Sequence, residues 1–406
     1  MTEHKIVDHA ERKHALLSAS GASRWLNCTP SPRLEEPFPS STSFYADEGT
    51  LAHEFAEINL KAQLDLMPED EYSIQYKELT ENVLYSVVME DEVQKHIDYV
   101  IQQFREAQRI TPDAVLLIEN KIDLTYYIED GFGTNDDVII ADGVLEVIDL
   151  KYGKGVRVKA EENSQLKLYG LGALRAYELM YDIHTIRLTV TQPRLDSISS
   201  WEVSVEDLKK WGEEIVKPKA IEAFAGDGEL APGEWCRFCK VKAKCRALKE
   251  RNMEVIREDF KDVKLLDDPE ILKVYKMHDE IVNWLNSVSD FVAVQALAGK
   301  KWEGLKLVAG RSNRAFTDTE KIEDVLLTEG YTKDQFLTNP QPKLLGIGAI
   351  EKLVGKNNID VILGDYIHKP EGKPTLVDES DKRPEYFVAT AADDFGSEDD
   401  DNLLEG

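Results

Sequence analysis

The chain is short of several things. It has four cysteines in 406 residues, no apolar run of 18 residues, no internal repeat, and 49 Lys and Arg against 77 Asp and Glu. Each shortage excludes something. Without a long apolar run, nothing reads as a membrane-spanning helix. Met1 to Leu17 is charged and lacks the apolar centre of a secretory leader, so a cytoplasmic chain with no membrane contact is expected. Thiols stay reduced in that compartment, and the cysteines read as metal ligands or buried thiols rather than disulfides. Without a repeat, a solenoid is excluded. Taken alone, the formal net charge of −28 argues against a nucleic-acid binder, because phosphate contacts require Lys and Arg.

What is present is unevenly placed. Residues 64–92 carry nine acids and one Lys, and residues 384–406 carry eight acids and no base. Residues 236–251 carry seven Lys or Arg against one Glu, and a second basic group is Lys151, Lys154, Arg157 and Lys159. A local field matters more to a charged substrate than the total.

Periodicity gives a coarse order of elements. Residues 18–30 read as a short capped helix ending at Pro30, and the Pro- and Ser-rich residues 31–48 as a loop. A helix over about 49–64 presents Leu51, Phe55 and Ile58, and a clearer one over 91–109 presents Val93, Ile97, Val100, Ile101 and Phe104. Short β-branched runs follow at Val115 to Glu119, Val138 to Ala141 and Leu145 to Leu150, with Asp142-Gly143 as a hairpin signal. A helix over 161–181 and a strand at Ile186 to Thr191 complete the pattern of a mixed α/β sheet. Beyond residue 253 the character changes: a long helix over 269–297, a strand at Leu305 to Val308, shorter helices, and an acidic tail expected to be disordered. The expected domains are 1–253, a helix-rich 254–390, and the tail 391–406.

Asp149 and Lys151 stand at i and i+2 at the end of an apolar strand, which puts both side chains on one face. Phosphodiester hydrolysis needs a divalent ion, which takes oxygen ligands, and an ammonium there can orient or deprotonate water. The Leu150 carbonyl is a further oxygen, and Asp136 on the preceding strand a second carboxylate. Asp-x-Lys also arises by chance, usually as a surface pair worth little. Gln165 and Tyr169, at i and i+4, share a helix face. His53 lies on an upstream helix, and His53-Glu54-Phe55-Ala56-Glu57 lacks the second His of a zinc protease motif.

In order, Gly49-Thr50-Leu-Ala-His53, Gly133-x-x-Asp136, Asp149-x-Lys151 and Gln165-x-x-x-Tyr169 resemble the RecB-type branch of the PD-(D/E)XK nuclease superfamily, over about residues 15–250. The resemblance implies a restriction-endonuclease-like sheet flanked by helices. It implies Mg²⁺ or Mn²⁺ held by His53, Asp136 and Asp149, with Lys151 as the catalytic lysine and Gln165 and Tyr169 beside it. Asp137 adjoins Asp136, and the Gly-x-x-Asp spacing favours Asp136. The family's upstream acidic position falls near Glu119, at loose spacing.

Four thiolates can hold zinc or an iron–sulfur cluster. One distant Cys28 followed by Cys236-x2-Cys239-x5-Cys245 fits no standard zinc pairing. It is similar to the [4Fe–4S] site of RecB-like nucleases, as is the prefix Ser18-Ala-Ser20-x4-Trp25-Leu-x-Cys28-x-Pro30. A structural staple is implied, with zinc as the alternative. Gly372 to Pro384 resembles phage-encoded proteins of an uncharacterised domain family, and Arg311 and Arg314 are candidate DNA contacts.

The reading is a phage or prophage DNA nuclease acting on single strands or ends, in recombination, replication or processing, with other phage proteins as partners. The rival is a non-cleaving DNA-binding or assembly protein that keeps the fold. The oligomeric state stays open.

Overall fold

The structure is a computed structural model that describes residues 15–38, 43–258, 268–310, 312–338, 343–370 and 372–386. The acidic tail at 391–406, Arg311 and residues 1–14 lie outside the described residues. The chain divides into two units, Met1–Trp284 and Leu285–Gly406.

In the first unit a 3-10 turn (Ala19–Gly21) leads into α1 (Ala22–Trp25), α2 (Ser31–Glu35), α3 (Phe44–Gln63), α4 (Glu69–Thr80) and α5 (Val87–Ile110). Then come β1 (Val115–Asp123), β2 (Phe132–Ile140), β3 (Gly143–Leu150), α6 (Ser164–Tyr177), β4 (Ile183–Gln192) and β5 (Ser197–Ser204). The series continues with α7 (Val205–Trp211), a π-helical turn (Gly212–Val216), α8 (Lys217–Ala225), a 3-10 turn (Glu234–Phe238) and α9 (Arg246–Glu258). The division between units falls within α10 (Asp268–Leu297).

The five strands form one mixed sheet in the order β1-β2-β3-β4-β5, with only the β3–β4 pair parallel. The expected fold class therefore holds: a mixed sheet flanked by helices. The β2–β3 connection is tight, and Gly143 takes φ +85, a value that suits glycine. Parallel pairing cannot be closed by a hairpin, so α6 carries the chain from β3 back to β4.

Strand alternation sorts side chains to two faces. Val138, Ile140, Leu145 and Val147 pack with Leu166 and Leu171 of α6. Ile139, Ile148 and Leu150 pack with Leu51 and Phe55 of α3 and Val93 and Ile97 of α5. β3 is thus covered on both faces and reads as a nearly continuous apolar run. α6 sits close against β1 because Gly172 has no Cβ: one built there would stand 2.2 Å from Ile122 Cγ2 and 2.8 Å from the Asp123 carbonyl oxygen.

Several elements differ from expectation. Residues 31–48 include α2, and α3 starts at Phe44, where the Ser43 hydroxyl accepts the Ala46 N–H at 3.2 Å. α4 and β5 are not expected from the sequence; neither buries a residue fully, but Tyr76 and Leu79 of α4 and Trp201 and Val203 of β5 pack against the cores. No helix among the described residues is long and apolar enough to cross a membrane.

In the second unit β6 (Leu305–Val308), β7 (Ala315–Phe316), α11 (Thr319–Thr328), α12 (Lys333–Phe336), α13 (Ile347–Val354), α14 (Ile359–Leu363), β8 (Ile367–His368) and β9 (Thr375–Asp378) follow. β6 pairs with β9 and β7 with β8, both antiparallel. Ile322, Leu326, Phe336, Ile350 and Leu363 form its core. Arg314 forms an ion pair with Glu351 of α13, which occupies it within this unit.

Candidate metal centre

The apolar stripe of α3 docks the helix on the sheet and leaves His53 beside the strands. Its Nδ1 lies 3.2 Å from Asp136 Oδ1 on β2 and 3.7 Å from Glu119 Oε1 on β1. Among the described residues, these three bring one ligand atom each within 4.8 Å of one another. Glu119 takes φ +47 in mid-strand, between the pairs Ile118↔Asp137 and Asn120↔Asn135. Left-handed backbone costs a non-glycine residue about 1–2 kcal/mol. The strained residue is one of the two whose carboxylates approach His53, and such strain concentrates at functional sites.

Asp136 Oδ2 accepts the Leu150 N–H at 2.6 Å, which ties β2 to the end of β3. The Leu150 side chain is in the α3/α5 core, so only its backbone meets the site. On the α6 side, Lys151 Nζ lies 2.7 Å from Asp149 Oδ2 and donates to Gln165 Oε1 at 3.5 Å. Gln165 Nε2 lies 3.3 Å from Asp149 Oδ1 and 3.4 Å from the Tyr169 hydroxyl. Asp149 Oδ2 has the ammonium beside it but no well-directed hydrogen bond. The candidate residues from α3, β1, β2, the end of β3 and α6 thus meet beside the middle of β2 and the end of β3.

The electrostatics are those of crowded, buried acids. Burial pushes the Asp149 carboxyl up, against the pull of Lys151. Burial works the same way on Asp136, but the His53 and Lys151 charges outweigh it and hold that carboxyl low. Burial also raises Glu119. Burial pulls His53 down, yet Asp136 and Glu119 reverse this and lift the imidazole to about 10. Burial likewise disfavours the Lys151 charge, and Asp149 with Asp136 more than restores it. Tyr169 is pushed up to about 12 by burial and stays a phenol. Two carboxylates, Glu119 and Asp136, and the His53 imidazole form a donor set that suits Mg²⁺ or Mn²⁺, with the imidazole favouring Mn²⁺ and the Asp149–Lys151 pair beside it.

The choice between adjacent aspartates is geometric. Asp137 points to the other face, where its Oδ2 lies 3.0 Å from His96 Nε2. His96 Nδ1 lies 2.7 Å from Thr191 Oγ1 on β4, and all three residues are buried. Sequence reasoning missed His96. The available signal was a histidine inside the apolar stripe of α5, three residues after Val93 and four before Val100.

All four cysteines line one cavity, together with Trp235 and Leu248. Cys28 and Cys239 are buried, Cys236 and Cys245 half-buried, and none is in a disulfide. The Gly233 N–H donates to Cys236 Sγ at 3.4 Å. Burial pushes the Cys236 thiol up and Cys239 up to about 12, so a ligand that needs thiolates must displace protons. Protein contacts already join the two cysteine-bearing segments: Arg24 pairs with Glu35 at 3.0 Å and donates to the Phe238 carbonyl at 3.4 Å, and Glu35 Oε1 accepts the Lys240 N–H at 2.7 Å.

A family model described as a protein of unknown function, DUF2800, matches residues 14–384. The chain belongs to that family. Among solved structures, a crystal structure of SSO0001 is similar over 54% of this chain and 95% of its own length, at 15% identity and a TM-score of 0.20.

Proposed function

We propose that the chain is a metal-dependent nuclease that hydrolyses DNA phosphodiesters, acting on single strands or ends in phage or prophage DNA processing. The observation that carries this is the convergence of His53, Glu119 and Asp136 beside the Asp149–Lys151 pair. A binding module has no use for a strained glutamate and a half-compensated buried aspartate at one point. His53, Glu119, Asp136 and Asp149 would hold the ion, which supplies charge neutralisation on the phosphate and a more acidic water. Asp136 fixes the strand end through the Leu150 N–H. Asp149 and Gln165 hold the Lys151 ammonium, which as a charged group donates to water or to a phosphate oxygen. Tyr169 holds Gln165 in place.

The test is labelled single- and double-stranded DNA, incubated with protein purified without oxygen, with and without Mn²⁺. Cleavage only with Mn²⁺ is expected. Binding without cleavage under either condition would select the rival, a non-cleaving assembly protein, which the net charge of −28 favours. Calorimetry adds a pH test. Neighbouring carboxylates lift His53 to about 10 in the metal-free protein, and a histidine must lose its second ring proton to ligate a metal. Mn²⁺ binding therefore releases a proton, and affinity should rise with pH, by about tenfold per unit while one proton is displaced. Affinity that does not change from pH 6 to 8 would remove His53 from the ligand set.

The four cysteines would hold a [4Fe–4S] cluster with a structural role. No three of their sulfurs are grouped as closely as the His53 set. Tetrahedral zinc, with Zn–S bonds of about 2.3 Å, would bring them roughly 3.8 Å apart.

A further inference from the structure

Of the two basic groups in the chain, one is largely occupied internally. Lys240 Nζ donates to the Phe38 carbonyl, Lys242 Nζ to the Arg237 carbonyl, and Arg251 pairs with Glu280. The other is not. Lys154, Arg157 and Lys159 are exposed, and none has a carboxylate partner among the described residues. They lie on the coil between β3 and α6, which begins at Lys151 itself.

That coil is held at defined points. Gln192, at the end of β4 and 2% exposed, accepts the Val158 N–H at 2.7 Å and donates to the Val156 carbonyl at 3.0 Å. Both ends of one buried amide thus fix the backbone on either side of Arg157. Two residues further on, the Ala160 N–H donates to the Ser199 hydroxyl at 3.1 Å, and Ala160 is fully buried. A merely solvated loop needs no buried clamp. Here a buried polar side chain holds a segment that bends at 154–156, carries three exposed cations and follows the candidate catalytic lysine in the chain.

We propose that residues 154–159 form a phosphate track that binds the backbone of a nucleic-acid strand whose scissile phosphate lies at Lys151. The inference rests on the nuclease reading and adds the surface that grips the substrate. It also offers a way for so acidic a chain to hold a polyanion: the cations are few, exposed and without a carboxylate partner among the described residues.

The test uses the full-length protein and a 20-nucleotide DNA strand, with affinity measured over a range of salt. The variants are a triple charge reversal, K154E/R157E/K159E, and its neutral counterpart, K154Q/R157Q/K159Q. Each phosphate contact contributes about 0.7 to the salt slope on a single strand, so losing three should flatten the slope by about two. Affinity at 0.1 M salt should fall at least tenfold for the reversed protein. Hydrolysis of bis(p-nitrophenyl) phosphate, which has no flanking phosphates, and Mn²⁺ affinity should stay at wild-type values. Wild-type affinity and slope in both variants would overturn the track. Should the reversed protein melt early, the neutral variant decides, with a flattened slope supporting the track and an unchanged one overturning it. The two readings fail separately: a wild-type protein that binds DNA through these residues but never cuts sinks the nuclease and leaves the track, whereas normal cutting and binding by both variants does the reverse.

Discussion

Asp149→Asn and Lys151→Ala are each expected to lower Mn²⁺-dependent DNA cleavage by at least about 10²-fold, the low end of what a positioned proton-transfer or charge-stabilising group contributes. The two side chains share one strand face and lie 2.7 Å apart, with Gln165 touching both. Removing either leaves the other misdirected. The isosteric Asp149→Asn is the cleaner probe, since truncating one partner of a buried pair strands the other charge. Lys151 keeps Asp136 as a second neighbour, so the fold should survive, and thermal unfolding checks this. Cleavage at the wild-type rate in either folded variant would end the active-site assignment.

The second large effect concerns stability. Cys28→Ser should lower the melting temperature by roughly 5–15 °C. Cys28 is separated from Cys236, Cys239 and Cys245 by about two hundred residues, yet all four line one cavity. A cross-link across so long a loop typically contributes about 2–4 kcal/mol by restricting the unfolded chain. In a unit of this size each kcal/mol moves the midpoint by about 2–4 °C. The contacts of Glu35 with Arg24 and Lys240 remain in the variant and limit the loss. Protein purified without oxygen should be brown and carry about four irons per chain, and Cys28→Ser should lose most of both. A colourless wild-type sample with about one zinc would select zinc instead. If Cys28→Ser melts with the wild type but does not cleave, the cysteine site is functional and not a staple.

Much of this molecule follows from local pattern. The stripes of α3, α5 and α6 and the β-branched runs of β2, β3 and β4 place the sheet and its flanking helices, because helical and strand periods are properties of neighbouring residues. The i, i+2 spacing of Asp149 and Lys151 and the i, i+4 spacing of Gln165 and Tyr169 likewise determine which side chains can meet. Tertiary structure decided the rest. The close approach of Asp136 to His53, and of Asp137 to His96, comes from the packing of α3 and α5 on the sheet. The approach of Glu119 depends on a left-handed backbone that no residue type announces. The Gln192 clamp joins segments more than thirty residues apart, and the cysteine cavity joins segments two hundred apart. Such contacts form only when the packing of whole helices and strands brings them together, and no periodicity in the chain encodes them.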